Sequence, residues 1–178
     1  MSSDELASLG GTTSAQVRKD LSFFGSFGTR GLGYSVPELI RQLREILGLE
    51  REWRVAIIGA GKIGHALARY QGFSQRGFRV VAVYDADPAK IGKKWDSLLV
   101  RDIELLESDM REFAPDIAVL AVPANAAQPT LDRMVKAGFK AVLNFAPARL
   151  SAPGDVTVRT VNMAMELEGL SFALANRE

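Results

Sequence analysis

The sequence predicts an α/β protein in which a partial N-terminal winged helix-turn-helix precedes a Rossmann-type parallel sheet, with a further helix at the C-terminus. From Arg54 onwards, near-continuous apolar strand segments alternate with helical segments, which is typical of a parallel sheet covered on both faces. The preceding segment carries two short helical patterns and a glycine-rich stretch instead. A chain of 178 residues can hold one full domain plus a smaller one. We therefore expect domains at 1–52 and 53–161 and a terminal helix at 162–178.

The first 24 residues predict two helices joined by a turn. Residues 3–9 have the pattern of a short helix with a serine cap, closed by a pair of glycines. One of the three hydroxyl residues at 12–14 then caps a second helix that runs to about Phe24. A full winged-helix domain normally has a further helix before these two, and only about two residues precede the first one here. The sequence therefore predicts a domain that lacks its first helix, as after an N-terminal truncation.

Residues 25–34 are too rich in glycine for a helix and form the candidate wing. Four of their side chains stand in near alternation, the pattern of a small β-hairpin: Phe27, Thr29, Leu32 and Tyr34. After this hairpin, Pro37 suits the first turn of a helix, and an apolar stripe follows that ends at Gly48. We expect this third helix to link the two domains.

Composition and charge exclude several classes of protein. No apolar run approaches the roughly 18 residues of a membrane span, and the N-terminus lacks the features of a secretory signal, so a cytoplasmic protein is expected. With no cysteine and a single histidine, disulfides, thiolate chemistry and a zinc site are not expected. Residues 1–52 carry six basic and seven acidic side chains, so a DNA-binding unit here needs dimerisation or an extension to bind tightly.

The β/α alternation predicts the second domain segment by segment. It begins with a buried strand at 55–58, a helix at 62–70, a strand at 80–84 and a helix at 103–113. The alternation continues through 117–122, 126–137, 141–143, 156–161 and 164–175.

The run Gly59-Ala60-Gly61-Lys62-Ile63-Gly64 directly follows the first of these strands and opens a helix, the context in which such a run binds a dinucleotide. Gly59 permits the tight turn, Gly61 lets the backbone approach a pyrophosphate, and Gly64 lets the helix pack on the sheet. The amides that open the helix then face the anion. Asp85 ends the second strand, where a carboxylate accepts hydrogen bonds from the adenosine ribose, which favours NAD(H) over NADP(H). Asp87 is an alternative, although Asp87 and Pro88 better fit the cap of a short helix.

Two further loops leave the carboxyl ends of predicted strands, where open α/β sheets bind ligands. We expect Val122 and Pro123 at the adenine or ribose side of the site, and Asn144 and Phe145 nearer the nicotinamide. A turn held by a satisfied asparagine and a rigid proline explains these loops equally well. His65 is better explained as a helix-surface residue than as a catalytic base.

The order of these motifs is similar to that of one family. The resemblance rests on three strings beside the glycine run: Val17-Arg18-Lys19-Asp20-Leu21-Ser22; Phe24-Gly25 with Gly28, Arg30-Gly31 and Gly33-Tyr34; and Asn144-Phe145-Ala146-Pro147. In this order and spacing, over essentially the whole chain, they resemble the Rex family of bacterial redox-sensing repressors.

The resemblance implies a homodimer whose winged-helix domains bind a palindromic, A·T-rich operator and whose Rossmann domains sense the ratio of NADH to NAD+, with NADH releasing the DNA. Lys19, with Gln16 and Arg18, would face the major groove or its phosphates, and Arg30 would enter the narrow minor groove. An ordinary solvated helix face is the alternative for Arg18 and Lys19, and it is weaker with the wing beside them.

The same resemblance places Tyr70 at the cofactor site, in a switch where a tyrosine pairs with an aspartate. Asn162 stands at the aspartate position and Met163 follows it, and since an amide cannot form a charged pair, no salt bridge is expected there. The family's switch arginine would lie on the missing first helix. The final helix, residues 163–176, is expected to cross to a partner subunit as a domain-swapped element, with a place in the core as the alternative.

Two other functions compete with the regulator. A small NAD-dependent oxidoreductase would need a substrate domain or an acid–base pair, and the sequence offers Asn144 no such partner near the nicotinamide. A nucleotide-binding module that acts only through protein partners would not retain DNA specifically.

Overall fold

The computed structural model of the protein describes residues 1–29 and 32–177 and divides into two compact units, Met1–Arg51 and Glu52–Glu178. In its described part, the first unit consists of three helices and the turn that follows the second of them. The helices are α1 (Ser3–Gly10), α2 (Ser14–Ser22) and α3 (Val36–Ile46).

Local hydrogen bonds fix the ends of the first two helices. Ser2 and Glu5 form a capping box at α1, and α1 ends on Gly11 in the left-handed conformation. Thr13 caps α2, because its side chain accepts the backbone N–H of Gln16 at 3.2 Å. The two helices predicted for this segment are confirmed, and Thr13 is the cap among the three candidates.

The segment predicted as a small hairpin is reduced to a turn. Within the described residues, a single β-bridge joins Thr29 to Gly33, with the Thr29 N–H 2.9 Å from the Gly33 oxygen. Gly28 and Gly33 have φ values of +70° and +78°, and a Cβ on Gly28 would overlap the Gly33 carbonyl. The predicted strands are therefore shorter than expected. Gly28 and Gly33 are left-handed where extended residues of the two paired strands were expected. Arg30 lies outside the described residues.

The second unit is built on a seven-stranded sheet with the order β3-β4-β2-β1-β5-β6-β7. The strands are β1 (Trp53–Ile58), β2 (Phe78–Asp85), β3 (Lys94–Trp95), β4 (Leu98–Asp102), β5 (Ile117–Leu120), β6 (Ala141–Asn144) and β7 (Thr157–Thr160). All neighbouring pairs are parallel except β3 with β4. Counted among themselves, the six parallel strands follow the order 3-2-1-4-5-6 of a dinucleotide-binding Rossmann sheet.

Helices cover both faces of this sheet. They are α4 (Lys62–Ala68), α5 (Gln71–Gln75), α6 (Leu106–Phe113) and α7 (Ala124–Lys136), and a short 3-10 turn precedes α6. A further helix, α8 (Met163–Ala175), follows the last strand. Alternate residues of β1 enter two apolar clusters, Ile58 in one and Ile57 in the other. Burial on both faces explains why the central strands β1 and β5 are apolar at almost every position.

Two local predictions for this unit were wrong, and one pair of strands was not predicted. The helix predicted at 62–70 ends at Ala68, and Tyr70 caps the separate helix α5. Asp87 caps a turn at Ala89 rather than a helix. The antiparallel pair β3–β4 was not predicted, since β3 has only two residues and is too short to show a period.

Helix α8 buries none of its residues. Its exposed apolar side chains are not confined to one stripe, and they include Leu167 (67%), Leu170 (61%) and Phe172 (71%). Such a helix is stable in water only when another surface covers it. Across the described part of the chain, no helix has the length and apolar character needed to cross a bilayer.

Candidate functional site

A cleft of about 950 Å³ opens at the carboxyl ends of the central strands. Its walls come from the loops after β1, β2, β5 and β6, and from the side of α7. The strand order reverses between β1 and β5, and open parallel sheets bind their ligands at this point. The volume is within the range of sites that enclose a small molecule or cofactor.

The three fingerprint glycines occupy three different environments. Gly59 has φ +111°, and a Cβ there would overlap the carbonyl of Ala121. A Cβ on Gly64 would overlap the carbonyl of Gly59, so this glycine lets α4 lie against the loop. A Cβ on Gly61 would meet nothing within 4 Å, because this residue faces the open cleft. Two of the glycines thus shape the loop, and the third leaves room for a ligand to approach the backbone.

Asp85 is joined to the glycine loop by a hydrogen bond. Its Oδ2 accepts the backbone N–H of Ala60 at 2.6 Å and the Lys90 ammonium at 3.1 Å, while its Oδ1 accepts the backbone N–H of Asp87 at 2.8 Å. Burial alone would raise the pKa of the Asp85 carboxyl, but the amide of Asp87, Lys90 and the amide of Ala60 together hold it below its ordinary value. The carboxylate is therefore ionised at neutral pH and lines the cleft.

Most of the predicted cofactor residues line this cleft. They are Gly59, Gly61, Lys62, Ile63, Asp85, Val122, Pro123 and Phe145. Ala60 and Gly64 lie behind the surface of the cleft and are buried. Their place in the fold explains this, since Ala60 donates its amide to Asp85 and Gly64 packs against Gly59.

Asn144 does not line the cleft, and its side chain is fully buried. Its Oδ1 accepts the backbone N–H of Ala146 at 2.8 Å, and its amide donates to the Ala146 oxygen at 3.1 Å and to the Thr160 hydroxyl at 3.3 Å. This is the arrangement of a satisfied asparagine that folds its own loop. By holding that loop, Asn144 presents Phe145 and Pro147 to the cleft.

Tyr70 lies apart from the cleft. It stands between α4 and α5, is 60% exposed, and packs edge-on against Phe73 with 5.2 Å between the ring centroids. Asn162 caps α8, accepting the backbone N–H of Ala164 at 3.1 Å. His65, on α4, packs edge-on against Trp95 and does not line the cleft.

Sequence reasoning missed several residues of the cleft. Four of them share one side of α7 at the spacing i, i+3, i+4 and i+7: Ala126, Pro129, Thr130 and Arg133. Ile103 and Glu104 line it from the turn after β4, and Arg133 forms a two-pronged ion pair with Glu104 at 2.5 and 2.7 Å. The hydrogen bonds from Arg133 lower the pKa of the Glu104 carboxyl. The helical spacing on α7 is the one signal in the sequence that would have identified part of this wall.

The residues predicted to contact the major groove or its phosphates lie on α2. Gln16, Arg18 and Lys19 are all exposed, and α2 buries no residue. The amide of Gln16 donates to the Asp20 carboxylate at 2.5 Å, so the two side chains on successive turns are held together. Within the described residues, Arg18 and Lys19 form no ion pair, so both cationic groups are exposed to solvent.

Comparisons with known proteins agree with this architecture. Residues 50–148 match the family model described as CoA binding domain, which spans the glycine loop and the strands around the cleft. The chain is 49% identical to the redox-sensing transcriptional repressor Rex of Syntrophomonas wolfei, over 98% of this chain and 83% of that protein.

Solved structures give the same result. The crystal structure of RSP in complex with NAD+ and operator DNA superposes with a TM-score of 0.93 at 40% identity, over 98% of this chain and 80% of that one. The complex of RSP with NADH gives 0.85 at 38% identity, over 98% and 81% of the two chains. The chain belongs to the Rex family of redox-sensing transcriptional repressors. This assignment confirms the resemblance and favours the regulator over the oxidoreductase.

Proposed function

We propose that this protein acts in the cytoplasm as a homodimer that represses transcription on a palindromic, A·T-rich operator and leaves the DNA when NADH binds. The observation that carries the proposal is the link between Asp85 and the glycine loop at the wall of the cleft, in a chain whose α2 exposes Arg18 and Lys19. Its relatives are repressors, and one of them forms complexes with NAD+, NADH and operator DNA.

In this proposal each part of the cleft takes one part of the dinucleotide. The pyrophosphate lies over Gly61, where the backbone is open, with Lys62 beside it to offset its charge. The adenosine ribose binds at Asp85, whose carboxylate accepts hydrogen bonds from the ribose hydroxyl groups. Phe145 and Pro147 form the apolar end, which suits a nicotinamide ring.

The redox state of the nicotinamide then decides which shape of the dimer is favoured. The reduced ring is uncharged and enters an apolar surface more readily than the oxidised, cationic ring. A ligand shifts an equilibrium between two shapes only by its difference in affinity for them, so NADH has to favour the DNA-free shape by about 1–3 kcal/mol or more.

DNA recognition rests on α2 and the wing. We assign Lys19, Gln16 and Arg18 to the major groove or its phosphates, and Arg30 to the minor groove. Two of the acidic side chains in this unit, Glu38 and Glu45, pair with Arg41 on α3. Because the first unit has no net basic charge, a single copy binds DNA weakly, and tight binding needs two copies on one operator.

Helix α8 supports the homodimer. Its apolar surface has no cover within the described part of the chain, and a second copy that exchanges the same helix would bury both. The assignment of α8 to a domain-swapped dimer stays a prediction.

A gel-shift titration tests the proposed function. An A·T-rich palindromic duplex is expected to be retained by the full chain and released on addition of NADH, while a scrambled duplex of equal composition is retained poorly. An oxidoreductase would instead consume NADH with a carbonyl acceptor, and a module that works through protein partners would not distinguish the two duplexes. Either of those results would contradict the proposal.

A further inference from the structure

The ribose end of the cleft holds a cation that the glycine fingerprint does not require. Lys90 Nζ lies 3.1 Å from Asp85 Oδ2 and 3.7 Å from Asp87 Oδ2, and both Lys90 and Asp85 line the cleft. The side chain of Lys90 is 37% exposed, compared with 10% for Asp85. The lysine therefore reaches in from the rim, and its ammonium is accessible to a bound ligand.

Asp85 has little acceptor capacity to spare. A carboxylate offers about four acceptor positions, and three donors already use them: Ala60 N–H, Asp87 N–H and Lys90 Nζ. The two amides belong to loop backbone, whereas the lysine side chain can rotate about its own bonds. A ribose whose two hydroxyls both donate to Asp85 would have to compete with Lys90 for the remaining space.

We propose that Lys90 is a second ribose-recognition group, which donates to a hydroxyl oxygen beside Asp85 and moderates the site's discrimination against a 2′-phosphate. A hydroxyl can donate and accept at once, so one ribose hydroxyl can bridge Asp85 and Lys90 without breaking the ion pair. This inference rests on the proposed function, because it assumes that a dinucleotide binds with its adenosine ribose at Asp85.

The charge of Lys90 should stabilise bound NADPH much more than bound NADH. A lone carboxylate at this point repels a 2′-phosphate strongly, and a lysine 3.1 Å away offsets part of that repulsion. For NADH, which lacks the phosphate, the lysine contributes a single hydrogen bond. Removing the lysine should therefore weaken NADPH binding much more than NADH binding.

The ratio of the two dissociation constants tests this inference. We would measure Kd for NADH and for NADPH with the full chain, using the fluorescence of the reduced nicotinamide. In Lys90→Met the ratio of Kd(NADPH) to Kd(NADH) is expected to rise at least about tenfold, since the 2′-phosphate of NADPH loses a nearby positive charge. Lys90→Gln is a second variant with the same expectation, and Lys90→Arg, which keeps the charge, should keep the wild-type ratio.

Lys94→Met provides the matched control. Lys94 is exposed on β3 and does not line the cleft, so its loss removes the same charge from the chain and should leave the ratio unchanged. A ratio that is unchanged or lowered in Lys90→Met, with NADH still bound, overturns the role of Lys90 but not the dinucleotide site. A wild-type chain that binds neither nucleotide overturns the proposed function itself.

Discussion

The dinucleotide cleft and the α2 surface differ in how far their residues are buried and in how many contacts hold them in place. In the cleft, Asp85 is 10% exposed and holds three donors, and Gly59 and Gly64 are locked by backbone contacts. On α2, Arg18 and Lys19 stand on a nine-residue helix that buries nothing.

This difference is also seen in the cores of the two units. In the first unit, the buried apolar residues among those described are Ala7 and Leu39, and Phe23, Phe24 and Leu32 are largely exposed. The second unit has a buried cluster on each face of its sheet. Adenosine and pyrophosphate binding should therefore be a property of one folded chain, whereas operator binding should depend on assembly and on salt.

The largest effect is expected from α8. Replacing Leu167 and Phe172 together by Asp should prevent two copies from covering this helix and lower operator affinity at least about 100-fold, because binding to two half-sites becomes binding to one. NADH affinity should change far less. Sedimentation gives the oligomeric state, gel shift the operator affinity and circular dichroism the fold, with Glu168→Gln as the control on the same helix. Unchanged operator affinity in a demonstrated monomer would refute the role of assembly.

A matched pair of glycine substitutions separates folding from ligand binding. In Gly64→Ala the new methyl overlaps the Gly59 carbonyl, so the free energy of unfolding should fall by about 1–3 kcal/mol. In Gly61→Ala the methyl enters open space, so stability should hold while NADH binding weakens about tenfold or more through blocked approach of the pyrophosphate. Urea unfolding and NADH titration measure the two effects. Equal NADH affinity in Gly61→Ala and the wild type would place the pyrophosphate elsewhere.

Asp85→Ala should weaken NADH binding at least about tenfold, since hydrogen bonds to charged groups contribute roughly 1.5–3 kcal/mol. Operator binding without nucleotide should be unchanged, so the variant should stay on DNA at NADH concentrations that release the wild type. Asp87→Ala is the control, because only the backbone amide of Asp87 contacts Asp85. If NADH still released DNA from Asp85→Ala but no longer from Asp87→Ala, the ribose would bind at Asp87 instead of Asp85.

The smallest effect is expected on α2. Lys19→Ala should weaken operator binding by about 1 kcal/mol and lower the slope of log affinity against log salt by about 1, the signature of one lost phosphate contact. Arg41→Ala removes a charge from α3, where Arg41 is already paired with Glu38 and Glu45, and should change neither quantity. Identical salt slopes for Lys19→Ala and the wild type would remove Lys19 from the interface.

The sequence predicted what is local and missed what is brought together by folding. Gly59, Gly61, Gly64 and Asp85 follow strand ends in one βαβ unit, so their spacing predicts their roles in the loop. Lys90 and Arg133 reach the same cleft from a turn and from the side of a later helix. Nothing in the order of residues links Lys90 to the fingerprint, and the helical spacing on α7 is the only sequence signal for Arg133.

Asn144 shows a different limit of sequence reasoning. The pattern around it fits a ligand contact and a self-folding loop equally well, and only the hydrogen bonds to Ala146 and Thr160 distinguish them. The same holds for the wing, where near alternation suggested strands but the left-handed Gly28 and Gly33 allow a single bridge.

In the proposed function, the redox state of the nucleotide, rather than its presence, controls DNA binding. The most direct measurement compares operator affinity at equal fractional occupancy by NADH and by NAD+, with occupancy fixed from separately measured dissociation constants. We predict that NADH lowers operator affinity by at least about fivefold relative to NAD+, the lower end of a typical coupling free energy. Equal weakening by the two nucleotides at equal occupancy would contradict the account.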